Sequence, residues 1–334
     1  MIDRRFRTLL LGEPVLMSNR LSVGKINGIE SIEGVVAGSQ VEPTQLAAGQ
    51  LTGFMAQLVV GRKSLSTAEI SGSFRAYGPL SESNCTLGAI IDSSASNSQW
   101  DYETQLGDVA VVPAGIEHDA RYSQYTHWLA IGLPLEDVRR RAEVYELKND
   151  PGFWQRPGMY RSSLRTREFI STMLKRVAHS VQATPAVAYV TQAAEGLIDD
   201  AVEALFLGYR ESAIAAVDNR RNFTRATRIT TIVDDYLREH EWYPVRVPRL
   251  CAHLGLSERT LRRAFVEKYG IPPARYLIFR RLSQARQILT TESDANVTGT
   301  ALRCGFWDLS RFARHYRNLF GETPSMTLKR QRRN

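Results

Sequence analysis

The sequence predicts a two-domain α+β protein. An N-terminal antiparallel β barrel or sandwich carries a helical hairpin, and an all-α C-terminal domain holds two helix-turn-helix units joined by a long helix. Three observations predict this. Short runs of β texture fill residues 51–134, the apolar period becomes helical near residue 163, and one helical pattern occurs twice in the last hundred residues. At 334 residues the chain is long enough for two domains.

Residues 1–50 carry little periodicity, with Pro14 and Pro43 as breakers. From Leu51 the expected strands are Phe54–Val60, Ser64–Ile70, Phe74–Tyr77, Cys85–Ile91, Val109–Val112, Asp119–Tyr122 and Thr126–Ile131, separated by polar, Gly or Pro punctuation. Ile170, Met173, Leu174, Val177, Ala178 and Val181 then recur at helical spacing, Pro185 interrupts, and Val190, Ala194, Leu197, Ile198, Ala201 and Leu205 mark a second stripe. The hairpin so formed has apolar faces to lay on the barrel or on a second copy of itself. A polar stretch, 216–225, reads as a linker. The expected division is therefore 1–160, a helical pair at 161–215, the linker, and a C-terminal domain at 226–334.

That last domain opens on an amphipathic helix through Ile229, Ile232, Val233, Tyr236 and Leu237, and a long helix is expected from about Ala274 to Thr290. Around the long helix lie the two copies, at 247–270 and 297–321. Val247 and Gly255 match Val297 and Gly305 at an offset of 50; Leu261, Phe265, Tyr269, Gly270 and Pro273 match Phe312, Tyr316, Phe320, Gly321 and Pro324 at 51. One added residue in the turn accounts for the change. Gly255 and Gly305 sit where a helix-turn-helix bends sharply, at positive φ that glycine adopts cheaply. Ser257 and Asp308 are placed to cap the helices that follow. Leu261, Phe265 and Tyr269 form the buried stripe expected of the first reading helix, and Leu309, Phe312, Tyr316 and Phe320 that of the second.

Charge divides with the domains. Residues 225–334 hold 21 Lys and Arg against 10 Asp and Glu, whereas residues 1–224 hold 22 against 25. The entire positive excess accompanies the repeat, as expected of a domain that binds a polyanion. On the exposed faces stand Arg259, Arg262 and Arg263, then Ser310, Arg311, Ala313 and Arg314. The planar arginine fork suits guanine O6 and N7; Lys268, Arg275 and Arg317, further along, suit phosphates. A linking helix of about 25 Å would let both units enter successive major-groove segments roughly 34 Å apart.

These phrases, from Gly255 to Phe265 and from Gly305 to Ser325, resemble the DNA-binding domain of the AraC/XylS family of bacterial transcription regulators, over about residues 226–330. The resemblance implies base-reading roles for Arg259, Arg262, Arg263, Ser310, Ala313 and Arg314, with Leu309 where a polar residue is frequent. The N-terminal part, with its Gly107–Gly115 strand and turn, is similar to the family's cupin-like regulatory domains. The resemblance then implies a small-molecule effector, dimer contacts in the helical pair, and contact with RNA polymerase at promoters, usually as an activator. Aromatic and basic candidates for an effector site are Arg75, Tyr77, Trp100, Tyr102 and Trp128.

Other classes fare worse. A metal-dependent cupin enzyme needs paired histidines and a carboxylate, but only His118 and His127 fall in the barrel region and no His-x-His occurs. Glu117-His118-Asp119 reads as a surface turn. No metal, cofactor or catalytic residue is therefore expected. Cys85 is the sole cysteine before Cys251 and Cys304, which argues against a disulfide framework and against a methyl-accepting repair protein. A DNA binder without an effector stays open. No apolar run reaches the ~20 residues of a membrane span, and Met-Ile-Asp-Arg-Arg-Phe-Arg has no signal core, so the expected location is cytoplasmic.

Overall fold

The computed structural model describes residues 7–8, 19–100, 102–145, 154, 156–183, 191–215, 225–240 and 244–332. Strands β1 (Arg7–Thr8), β2 (Arg20–Ile26), β3 (Glu42–Gln45), β4 (Thr52–Val60), β5 (Lys63–Ser71), β6 (Phe74–Pro79) and β7 (Asn84–Ser93) come first, with a 3₁₀ turn at Ile29–Ser31. Strands β8 (Asn97–Gln99), β9 (Tyr102–Thr104), β10 (Val109–Val112), β11 (Glu117–Tyr122) and β12 (Tyr125–Pro134) follow, then helix α1 (Leu135–Val144) and strand β13 (Gly158–Tyr160). All seven expected strands are present. The expected turn at Glu117-His118-Asp119 is instead the start of β11, and both His118 and Asp119 are buried. Its polarity suggested solvent; in the fold only Glu117 keeps a partly exposed side chain.

The strands make two antiparallel sheets, ordered β1-β2-β4-β5-β12-β7-β10-β13 and β3-β6-β11-β8-β9. Strand β12, between β5 and β7, shows why its run is apolar from Trp128 onward. Leu129, Ile131 and Leu133 belong to one core cluster, and Trp128 and Ala130 to another. Alternate side chains point to opposite faces, so both faces of this sheet are covered.

Helices α2 (Leu164–Ala183) and α3 (Thr191–Ala215) cover the outer face. Ile170, Leu174, Val177, Ala178 and Val181 of α2 and Ala194, Ile198, Ala201 and Leu205 of α3 are buried in that cluster; Met173 and Leu197 pack at its edge. The apolar stripes are thus spent on the chain's own sheet. Pro185, Val190 and linker residues 216–224 lie outside the described residues.

The second sheet lies between the barrel interior and the C-terminal domain. Phe74 of β6 and Tyr122 of β11 stack inside, with ring centroids 4.8 Å apart, while the neighbouring Arg75 and Asp119 face outward to the helices. That domain comprises α4 (Arg225–Glu239), α5 (Val247–Leu254), α6 (Glu258–Tyr269), α7 (Pro273–Thr291), α8 (Val297–Arg303), α9 (Leu309–Phe320) and α10 (Pro324–Gln331). Leu261, Phe265, Tyr269, Phe312, Tyr316 and Phe320 are buried as expected. Two apolar residues depart from the expected stripes: Ile232 and Leu309 are 44% and 41% exposed. Leu309 opens α9, where the helix rim leaves its side chain outside the core.

Candidate nucleic-acid interface

Each reading helix begins as its local sequence dictates. Gly255 closes α5 at φ 61°, and Gly305 follows α8 at φ 73°. A Cβ on Gly305 would lie 2.7 Å from Pro244 Cβ, so that position is constrained by space as well as by backbone angle. Ser257 Oγ accepts from Thr260 N at 3.2 Å, and Asp308 Oδ1 accepts from Arg311 N at 2.9 Å. Side-chain acceptors here satisfy N–H groups that have no partner within the helix. The 19-residue α7 links the units and spans about 28 Å.

Arg259, Arg262 and Arg263 of α6 are exposed, as are Ser310, Arg311, Arg314 and Arg317 of α9; Ala313 is half-buried. Arg311 donates Nε–H to His315 Nε2 at 3.2 Å. Among the described residues no carboxylate forms an ion pair with any of these six arginines. Arginines on the domain's other side contrast with them. Arg280 meets Glu42 at 3.2 Å, Arg286 meets Glu30 at 2.6 Å and Glu322 at 2.8 Å, and Arg330 meets Glu322 at 2.7 Å. Positive charge facing the β domain is neutralised, and that on the reading helices is left for solvent or a polyanion. Trp307, just before α9, is 74% exposed beside it. Arg275 is exposed, with its guanidinium 5.1 Å from the Phe279 ring centroid.

Lys268 does not join this surface. Its ammonium lies 2.9 Å from Asp119 Oδ2 of β11 and donates to the Trp100 carbonyl at 3.2 Å, with its side chain 8% exposed. It sits at the C-terminal end of α6, and that end is buried against the β domain. A phosphate contact from Lys268 is therefore corrected to a domain contact.

Arg75 and Tyr77 are likewise placed between the domains rather than in an effector pocket. The Arg75 guanidinium reaches Asp119 at 2.7 Å, Asp234 of α4 at 2.8 Å and the Tyr276 hydroxyl of α7 at 2.6 Å. Burial opposes ionisation of Asp119, but Arg75 and Lys268 hold its carboxyl at about 2. Asp234 shows the opposite balance: burial raises it, and Arg75 only partly offsets that. Tyr77 donates to Glu117, which also bonds Arg238. Gln45 Nε2 donates to the Leu319 carbonyl at 3.1 Å, as does Gly49 N at 3.0 Å. Polar pairing and a shared apolar cluster join the two domains firmly.

Within the β domain, Trp128 alone of the five effector candidates lines the interior cavity, along with Gln99, Asp108, His118 and Tyr122. Trp100 meets Lys268 through its carbonyl, and Tyr102 lies on the edge strand β9. Aromatic content marks core and interface as readily as a binding site; of the stretch Glu117-His118-Asp119, His118 reaches the cavity. Among the described residues no group of three or more His, Cys, Asp or Glu is placed to hold a metal ion. His127 lies elsewhere, with Nε2 3.1 Å from Thr67 Oγ1. Burial pushes the Cys85 and Cys304 thiols up to about 12, while Cys251 is half-buried. No described helix is long and apolar enough to cross a membrane.

The fold and this surface define a tandem helix-turn-helix domain. Residues 250–330 match the helix-turn-helix domain family. A probable thc operon regulatory protein of Rhodococcus erythropolis is 35% identical over 103 residues, 30% of this chain and 31% of that protein. An HTH-type transcriptional activator RhaS of Klebsiella pneumoniae (strain 342) is 30% identical over 171 residues, 51% of this chain and 58% of the relative. Among solved structures, a probable AraC family transcriptional regulator from Rhodopseudomonas palustris CGA009 is 35% identical, covering 31% of this chain and 97% of that one, with a TM-score of 0.29. The chain thus spans between about a third and three-fifths of the two curated relatives' length. Residues 250–330 are therefore a helix-turn-helix domain.

Proposed function

We propose that the protein is a sequence-specific DNA-binding transcription regulator, acting as an effector-responsive activator. It places α6 and α9 in successive major-groove segments. The observation that carries this reading is the segregation of arginine: those on the two reading helices have no ionic partner among the described residues, whereas those facing the β domain are paired. In this reading Arg259, Arg262, Arg263, Ser310 and Arg314 meet base edges, and Arg311 and Arg317 meet phosphates. The N-terminal 1–160 unit senses a small molecule, the exposed faces of the helical pair mediate dimerisation, and RNA polymerase is the further partner, in the bacterial cytoplasm.

Mobility shift on the DNA upstream of the protein's own gene tests the reading. Arg262→Ala with Arg314→Ala should weaken specific binding by tenfold or more, since each good base contact contributes about 1–3 kcal/mol. Affinity should fall with salt at a slope of about −0.9 per phosphate neutralised. Unchanged binding by the double variant, or a flat salt response, would remove these helices as the DNA-reading surface.

A further inference from the structure

The cavity between the two sheets has a feature that neither its shape nor the DNA-binding reading explains. Three of the residues that line it each carry a buried side-chain atom with no hydrogen-bond partner: Gln99 Nε2, Thr104 Oγ1 and His118 Nδ1. Gln99 and His118 are only 8% and 4% exposed. An unpaired buried polar group costs about 1–3 kcal/mol, so three on residues around one space call for an occupant that pairs them. The walls are otherwise mainly apolar, with Ile90, Val112, Trp128 and Met159 among them.

Charge narrows the occupant. Among the described residues Asp108 is the one acidic residue in the lining, already neutralised by Arg161 at 2.7 Å, and no Lys or Arg lines the cavity. Burial lowers His118 to about 4, with Asp119 opposing weakly, so its ring is neutral near pH 7. An organic anion or cation would enter without a counter-charge, at a heavy desolvation cost. The room is about 60 Å³; since about 10–15 Å³ of such space holds one water, it takes a molecule of roughly four to six heavy atoms. Gln99 Nε2 demands an acceptor, while His118 Nδ1 and Thr104 Oγ1 take either role.

The strands holding these groups also hold the first reading helix. On β11, His118 faces the cavity and Asp119 faces α6, where it binds Lys268. At the end of β8, Gln99 lines the cavity, and the next residue, Trp100, at φ 51°, gives its carbonyl to the same ammonium. Trp100 N further donates to the Asp119 carbonyl at 2.6 Å. We propose that this cavity binds a small uncharged molecule carrying a hydrogen-bond acceptor beside a donor, a short carboxamide being the simplest, and that its occupancy reaches α6 through Asp119 and Trp100.

The proposal rests on the DNA-binding reading only for its second half. Calorimetric titration of the full chain with propionamide tests the first half, with propionate and propylammonium as charged molecules of similar size. Propionamide should bind and the charged pair should bind at least about tenfold more weakly. Gln99→Leu with Thr104→Val, or Thr104→Val alone, should weaken the amide by about tenfold or more, a change of ~1.4 kcal/mol. No amide binding means that the cavity holds water only, and amide binding indifferent to these variants places it elsewhere; either result overturns the site. In mobility shift, propionamide should change the half-saturating protein concentration at least threefold for the wild type. It should do so for neither Asp119→Asn nor Lys268→Met, both of which should still bind the amide. A response that persists in both variants overturns the route. If the wild type binds no DNA, the DNA-binding reading fails, while calorimetry still decides the cavity.

Discussion

Replacing Arg75 tests how the two domains are held together. Its side chain is 4% exposed and its guanidinium serves two buried carboxylates and one phenol at once. Arg75→Met keeps much of the aliphatic bulk and removes the charge. Asp119 would retain Lys268 at 2.9 Å, but Asp234 would be left with only the Tyr276 and Tyr269 hydroxyls at 3.4 and 3.5 Å. Removing one partner of a buried ion pair costs about 3–5 kcal/mol, because the other charge stays behind. Asp234 can limit that cost by taking up a proton, since burial already raises it. The expected loss at pH 7.5 is thus about 3 kcal/mol, measured by urea denaturation. It should shrink toward pH 5, and adding Asp234→Asn should restore much of it. A loss below about 1 kcal/mol, or a double variant no more stable than Arg75→Met, would refute the claim that this cluster carries the domain junction.

Three further outcomes follow from named geometry. His118 keeps a neutral ring down to about 4 when folded, against 6.5 for the free side chain. The unfolded chain therefore binds the extra proton first, and stability should fall by about 3 kcal/mol between pH 6.5 and 4. Asp234 works in the opposite direction, so the comparison with His118→Gln, which should lose this slope, isolates the histidine; parallel pH profiles would refute it. Gly305→Ala, at φ 73° and 2.7 Å from Pro244 Cβ, should cost more than about 1 kcal/mol in thermal unfolding and exceed Gly321→Ala, whose Cβ meets nothing within 4 Å. Asp308→Ala removes the cap on α9 and should cost about 1 kcal/mol, with DNA affinity falling more than for Ser310→Ala if the helix start positions the second reading surface.

The sequence by itself determined the local elements and the tandem motif. Strand runs such as Val109–Val112, the two glycine turns, the caps at Ser257 and Asp308 and the buried aromatic stripes all depend on neighbours within a few residues, and period and composition report such neighbours directly. Strands β2 and β3 escaped because residues 1–50 alternate weakly; their pairing partners, β4 and β6, are what make them strands. Only the tertiary structure decided what Lys268, Arg75 and His118 do. In sequence, Lys268 is one more cation on a basic helix, Arg75 a polar residue on a strand, and His118 part of an apparent surface turn. Their partners, Asp119, Asp234 and the unpaired groups of the cavity, lie up to 159 residues away, and a buried charge or an orphaned ring nitrogen exists only once the sheets and helices have closed around it. Chain-local patterns carry the reading helices; the junction and the cavity between the sheets are set by which faces the fold turns toward each other.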